Sequence, residues 1–188
     1  MKETTPDEQV FSRAMAMIAS GDQTGALSVL SELYARLTNS GELSNAAKVG
    51  SNMALIEAEM GLYGEAEIHF RTVADLFSRL GESALLARTW GNLGSVHRDA
   101  EDFNSALEAY IDSLRLYQEL NDVAGIAGQY ANIAYIKALS GELDSALDFF
   151  RNAEQCYSAT GDAGRMRDTQ SNCERLEKLI AGEGNEGA

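Results

Sequence analysis

Asn is a poor residue for the middle of a helix, because its side chain competes for the backbone's hydrogen bonds. Yet Asn stands at positions 52, 92, 132 and 172, inside stretches with helical spacing and always 40 residues apart. A primary amide both donates and accepts. Such a column can hold the backbone of a peptide, or it can tie neighbouring helices to one another. Lys48 and Arg88 each precede one of these Asn residues by four positions, which puts cation and amide on one helix face. Gly128 and Asp168 fill the same places further on, so the cation is lost toward the C-terminus. Arg98 follows Arg88 by about three turns and falls near the same side. The chain has 15 basic and 29 acidic residues, a formal net charge of −14. Cations gathered on one face of so acidic a chain point to a carboxylate-bearing ligand segment; the alternative is that they pair with Glu59 and Asp99. Tyr135, three residues after Asn132, offers an aromatic surface to a ligand or packs into the core.

Little else in the sequence suggests chemistry. His69 and His97 lie on different helices, without partners at metal-ligand spacing. Cys156 and Cys173 take apolar helix positions and read as buried thiols, with a disulfide between adjacent helices as the alternative. No Walker-type phosphate loop is present, and Gly91-Asn92-Leu93-Gly94 lies within a helical stretch rather than after a strand. The paired acids Glu57 and Glu59, and Glu101 and Asp102, read as a solvated face and loops. The expectation is a protein that is not an enzyme, with no catalytic residues, no metal and no cofactor.

The elements that must carry these residues repeat with the same step. Ala26, Ala66, Ala106 and Ala146 form one column; Leu30, Phe70, Tyr110 and Phe150 a second; Leu37, Phe77, Tyr117 and Tyr157 a third. Aligned columns of this kind mark an internal repeat. Apolar residues at Phe103, Leu107, Tyr110, Leu114 and Tyr117 step by four and three, the spacing of an amphipathic helix. The stretch from Ala84 to Ala100 has helical spacing too. Turns fall at Gly21, Gly61 and Gly141, and again at Gly41, Gly81, Asn121 and Gly161, where glycine supplies the left-handed residue that ends a helix. Thr5-Pro6-Asp7-Glu8 is a capping box with Pro at the first helical position. The count is nine helices: four hairpins over about 5–40, 41–80, 81–120 and 121–160, then a final helix over 162–180 that carries enough charge to serve as a cap. The tail 181–188 is expected to be disordered.

Composition removes other classes. A single Pro argues against turn-dense all-β folds, and the acidic balance argues against nucleic acid and anionic membrane surfaces as partners. No apolar stretch approaches the roughly 20 residues of a membrane span, and the first nine residues lack the apolar core of a signal peptide. A soluble cytoplasmic protein with reduced thiols is expected.

The third hairpin, with Trp90, Leu93, Gly94, Ala106 and Tyr110, and the fourth, with Tyr130, Gly141, Ala146, Phe150 and Ala153, resemble the tetratricopeptide repeat. Gly61, Ala66 and Phe70, and Gly21, Ala26 and Leu30, extend the likeness over about 5–180. The slot for the motif's second aromatic residue holds Met17, Glu57, His97 and Lys137 instead, and the step is 40 rather than 34 residues. The longer step is similar to the repeats of Pins-type polarity adaptors, kinesin light chains and many bacterial regulators. The resemblance implies an all-α solenoid, a right-handed superhelix forming a single domain whose first helices line a concave groove. It also implies a non-catalytic adaptor that binds a segment of a partner protein. In such a groove Asn52, Asn92 and Asn132 would hold the segment's backbone, while Lys48, Arg88 and Arg98 attract its acids and Tyr135 meets it further along. Two alternatives are a self-associating scaffold and a peptide-sensing domain of a regulator. The net charge and the charged final helix favour a monomer over a homodimer.

Overall fold

A computed structural model of the chain describes residues 5–182. Nine α-helices follow one another, with no strand among the described residues: α1 (Pro6–Ala19), α2 (Gln23–Ser40), α3 (Leu43–Glu59), α4 (Tyr63–Leu80), α5 (Ser83–Asp99), α6 (Phe103–Glu119), α7 (Val123–Leu139), α8 (Leu143–Thr160) and α9 (Ala163–Ile180). The expected tail falls outside the described residues from position 183 on.

Local chemistry explains where helices begin and end. The Thr5 hydroxyl accepts from the Glu8 amide while the Glu8 carboxylate accepts from the Thr5 amide, closing the capping box before Pro6. Asp22, Asp102, Asp122 and Asp162 each accept from the amide three residues on, satisfying a donor that the first turn leaves unpaired. These bonds, from the Ser105 side chain and backbone, hold the Asp102 carboxyl below the usual carboxylate range. Glycines at 21, 41, 61, 81, 141 and 161 turn the chain with φ between 69° and 86°, a region that costs side-chain-bearing residues energy. Glu101 and Asn121 take the two remaining steps with φ of 62° and 54°.

The helices form two compact units, dividing after Val96 near the end of α5. In the first, α1 packs on α2, α2 on α3 and α3 on α4. Its core joins Ala26, Leu30, Leu33, Leu37, Val49, Met53 and Ile56 around α1 to α3, and Val73 and Phe77 of α4 against Leu85 and Leu86 of α5. In the second, α6 packs on α7, α7 on α8 and α8 on α9. There Ala106 and Tyr110 meet Ile133 and Ile136, and Phe150 meets Cys173 and Leu176. All four alanines of the recurrent column are fully buried, as are Leu30, Phe70 and Tyr110. A small residue there lets paired helices approach, and the aromatic or Leu beside it fills the space. The final helix behaves as a cap: Thr169, Cys173 and Leu176 are buried, whereas Arg165, Arg167, Asp168, Arg175, Glu177 and Lys178 are exposed. Arg151 to Glu177, at 2.8 Å, and Gln170 to Glu154, at 2.7 Å, fasten it to α8.

Candidate functional site

In the first unit, α3 buries Ala46, Ala47, Val49, Gly50, Met53 and Ala54, which leaves Lys48 exposed and Asn52 half-buried. The Asn52 amide donates to the Lys48 carbonyl at 2.7 Å. This bond lies within α3 itself, so it belongs neither to a ligand nor to a neighbouring helix, and it leaves the Asn52 oxygen as the open group. On α5, Arg88 is exposed and Asn92 half-buried, and no side-chain hydrogen bond or ion pair among the described residues engages either. Glu59 instead accepts from Gln23, and Asp99 pairs with Arg98. Lys48 also lines a cavity of about 730 Å³ between α1, α2 and α3, floored by Leu33, Leu37 and Val49. The acids at its rim already have partners: Asp7 pairs with Arg36, Glu8 closes the helix cap, and Glu42 accepts from Ser40 and Asn45.

The second unit carries different groups on the corresponding faces. Asn132 is half-buried and, among the described residues, uncommitted. Gly128, one turn earlier, leaves open space where a cation stands on α3 and α5. Arg98 lies 2.8 Å from Asp99, whose hydrogen bond raises the guanidinium's pKa against the opposing effect of partial burial. Part of its charge is therefore already answered within the chain. Tyr135 is 50% exposed, so it presents its ring to solvent rather than to the core.

Several residues differ from their sequence reading. Glu57 is buried, not part of a solvated face, and its Oε2 sits 2.6 Å from Nδ1 of His69 on α4. It occupies the interior slot shared by Met17, His97 and Lys137, and a buried carboxylate there needs a partner. Lys137 in the same slot reaches Glu142 at 2.8 Å, and His97 is buried. That slot was the available signal, since polar residues recurring at an inward-facing phase call for partners. Cys156 and Cys173 are both free, and burial pushes both thiols up, so they stay protonated at neutral pH. No group of three or more His, Cys, Asp or Glu among the described residues is placed to hold a metal ion, and no helix there is long and apolar enough to cross a membrane.

The profile of the tetratricopeptide repeat family matches residues 45–119. No curated protein matches the sequence. Solved structures share the fold at low identity. The apo form of RapI aligns over 94% of this chain with a TM-score of 0.85 and 16% identity. Aspartyl phosphate phosphatase F from Bacillus subtilis aligns over 97% with a TM-score of 0.84 and 15% identity. In both cases the chain spans 49% of the other protein's length. The nearly identical TPR-like repeats of a candidate kinesin light chain from Podosopora anserina align over 99% of this chain and 91% of their own, with a TM-score of 0.78 and 12% identity.

Proposed function

We propose that this chain, whose residues 45–119 match the tetratricopeptide repeat family and whose fold is that of such repeats, captures a peptide segment of a partner protein on its first-helix faces. The first unit contributes Lys48, Asn52, Arg88 and Asn92; the second contributes Arg98, Asn132 and Tyr135. The observation that carries the reading is that Arg88, Asn92 and Asn132 reach the surface of successive first helices while no other described residue engages their side chains. A half-buried amide without a partner is an offer of hydrogen bonds that a peptide backbone can take up. Arg88, and Lys48 in its partly apolar cleft, favour a segment with carboxylates. The whole of 5–180 acts as one non-catalytic domain in this reading, and the chain works as a soluble cytoplasmic monomer.

Selection of peptides from a display library on the purified protein, run beside a folded Asn92→Ala/Asn132→Ala variant, tests this. Peptides enriched by the parent and lost by the variant are expected, and their binding should weaken as salt rises, because exposed charges are screened over about 8 Å at physiological ionic strength. Equal enrichment on both proteins would assign the Asn column a structural role and remove the reading. A mass in solution that grows with concentration would favour the self-associating scaffold instead.

A further inference from the structure

Within the second unit, the end of α7, the start of α8 and one stripe of α9 enclose a small cavity of about 210 Å³. Leu143 and Phe150 of α8 and Leu176 of α9 line it, and Tyr135, Leu139 and Leu179 form its rim at 50%, 50% and 53% exposure. Tyr135 and Leu139 are four apart on α7, as Arg175 and Leu179 are on α9, so each pair shares one helix face. Such large apolar side chains left half in water around a concave apolar floor resemble the anchor pockets of interfaces. At the phase of Leu139 and Leu179 the earlier repeats carry Ala19, Glu59 and Asp99, and at the phase of Tyr135 and Arg175 they carry Met15, Leu55 and Ser95. A large apolar residue at the phase of Leu139 is thus confined to the last two first-helices.

The polar members of the lining are Asn172 and Arg175, one turn apart on α9. No hydrogen bond or ion pair among the described residues engages Arg175. Two acids of this unit are spoken for, Glu177 by Arg151 and Glu142 by Lys137. The cavity therefore combines an apolar floor with an uncommitted cation and an amide at its edge, in a chain whose net charge is −14. Its volume is below the roughly 300–1,000 Å³ of sites that enclose a whole small ligand, and suits a single side chain.

We infer that this cavity is an anchor site for one large apolar side chain, aliphatic or aromatic, of a partner segment whose adjoining carboxylate pairs with Arg175 and Asn172. The inference rests on the peptide-capture reading above and adds the chemistry of the partner at this place. It also gives Tyr135 a role that its position beside Asn132 did not specify: one wall of a pocket rather than a lone stacking surface.

The test uses N-acetyl-phenylalanine, which carries both features, against N-acetyl-phenylalanine amide, which lacks the carboxylate. Each is titrated into protein with labelled leucine methyl groups and followed by NMR. The acid is expected to shift the Leu139, Leu143, Leu176 and Leu179 signals in the millimolar range and to bind at least fivefold tighter than the amide. Arg175→Gln should reduce the acid to the amide's affinity, and Leu139→Ser with Leu179→Ser should abolish both. All three side chains are exposed, and a circular dichroism spectrum and melting curve unchanged from the parent's confirm that each variant folds. Equal shifts by acid and amide, or none by either, would overturn the inference. So would signals that move with protein concentration alone, which would make a second copy the occupant. Peptides selected by the parent are then measured on the Leu139/Leu179 variant. Unchanged affinity there overturns the anchor and leaves peptide capture standing; if the parent selects no peptide, capture itself falls, and the titration alone decides what the cavity binds.

Discussion

The two units repeat one pattern of buried residues and carry different exteriors. Ala26 and Ala66 in the first correspond to Ala106 and Ala146 in the second, all fully buried, with Leu30 and Phe70 matched by Tyr110 and Phe150. Outside that pattern the likeness stops. Every left-handed position in the first unit's connections is Gly, whereas the second begins with Glu101 and Asn121 before returning to Gly141 and Gly161. The first-helix faces of the first unit carry Lys48 and Arg88, while those of the second carry Gly128, Tyr135 and Leu139. Each helix pair cannot bury its own apolar faces and depends on its neighbours, so the interior columns tolerate little change. The exposed phases are free to differ, and that is where the units specialise.

The largest expected effect tests that recurring pattern. Phe70→Ala in the first unit and Phe150→Ala in the second should each cost about 3–5 kcal/mol, the usual result of emptying a buried aromatic site. Thermal unfolding followed by circular dichroism checks this. If the nine helices act as one domain, both substitutions move a single transition downward. Two transitions, each moved by only one substitution, would show that the units unfold independently and would break the single-domain reading.

The next substitution lies in the first turn of α7. A methyl group at Gly125 would come within 2.4 Å of the Tyr117 ring, near its base rather than its tip. Gly125→Ala should therefore destabilise by about 1–2 kcal/mol, overpacking of roughly 1–3 kcal/mol exceeding a helix-propensity gain of about 1 kcal/mol. The midpoint of urea unfolding reads the sign directly. A stabilised Gly125→Ala protein would mean that the ring gives way and that the contact of α6 with α7 is looser than drawn.

What could be read from the sequence follows the same division. The 40-residue step exposed the interior columns, the helix pairs and the turn positions, because burial and backbone conformation constrain residue type at each of them. Asn121 could be placed in a turn by that register; Glu101 could not be singled out, since nothing about an acid announces a left-handed backbone. The exterior was less legible. Whether Asn52 turns its amide into its own helix or outward is a choice between rotamers that leave the residue type unchanged. Arg98 pairs with Asp99, its neighbour in sequence, although a helix separates adjacent side chains by about 100°, and only the long guanidinium arm permits the contact. The Glu57 and His69 contact depends on two helices meeting at one height, and residue spacing along one helix does not report that. The cavity rimmed by Leu139 and Leu179 has the same cause, since three helices contribute to it.

Glu101 offers a smaller and cleaner test of the unlike connections. A residue with a side chain held in the left-handed region costs roughly 1–2 kcal/mol, and Gly avoids that strain. Glu101→Gly should raise stability, but by no more than about 1 kcal/mol, because the greater freedom of the unfolded glycine chain offsets part of the relief. The same substitution at Asn121 should gain less, since Asn tolerates that conformation. Equal gains at both positions would mean that residue type, and not the turn itself, has little influence on this connection.

The smallest expected effect bears most directly on function, because it moves a feature of the first unit into the second. Gly128 occupies the phase of Lys48 and Arg88, has open space where a side chain would begin, and lies four residues before Asn132. Gly128→Arg should fit without displacing a neighbour and, by helix propensity, should stabilise by up to about 1 kcal/mol. If carboxylates of a bound segment run past α7 as they are proposed to run past α3 and α5, the new cation adds an exposed charge contact of about 0.2–1 kcal/mol. Acidic peptides selected on the parent would then bind up to about fivefold tighter, and the gain would fade as salt is raised. Tighter binding that survives high salt would credit the added hydrocarbon stem instead of the charge. Unchanged affinity in Gly128→Arg, alongside weakened binding in Arg88→Gln, would confine the acidic part of the ligand to the first unit. The second unit would then recognise its segment through the amide of Asn132 and the apolar surface beside it, and the two exteriors would be reading different parts of one partner.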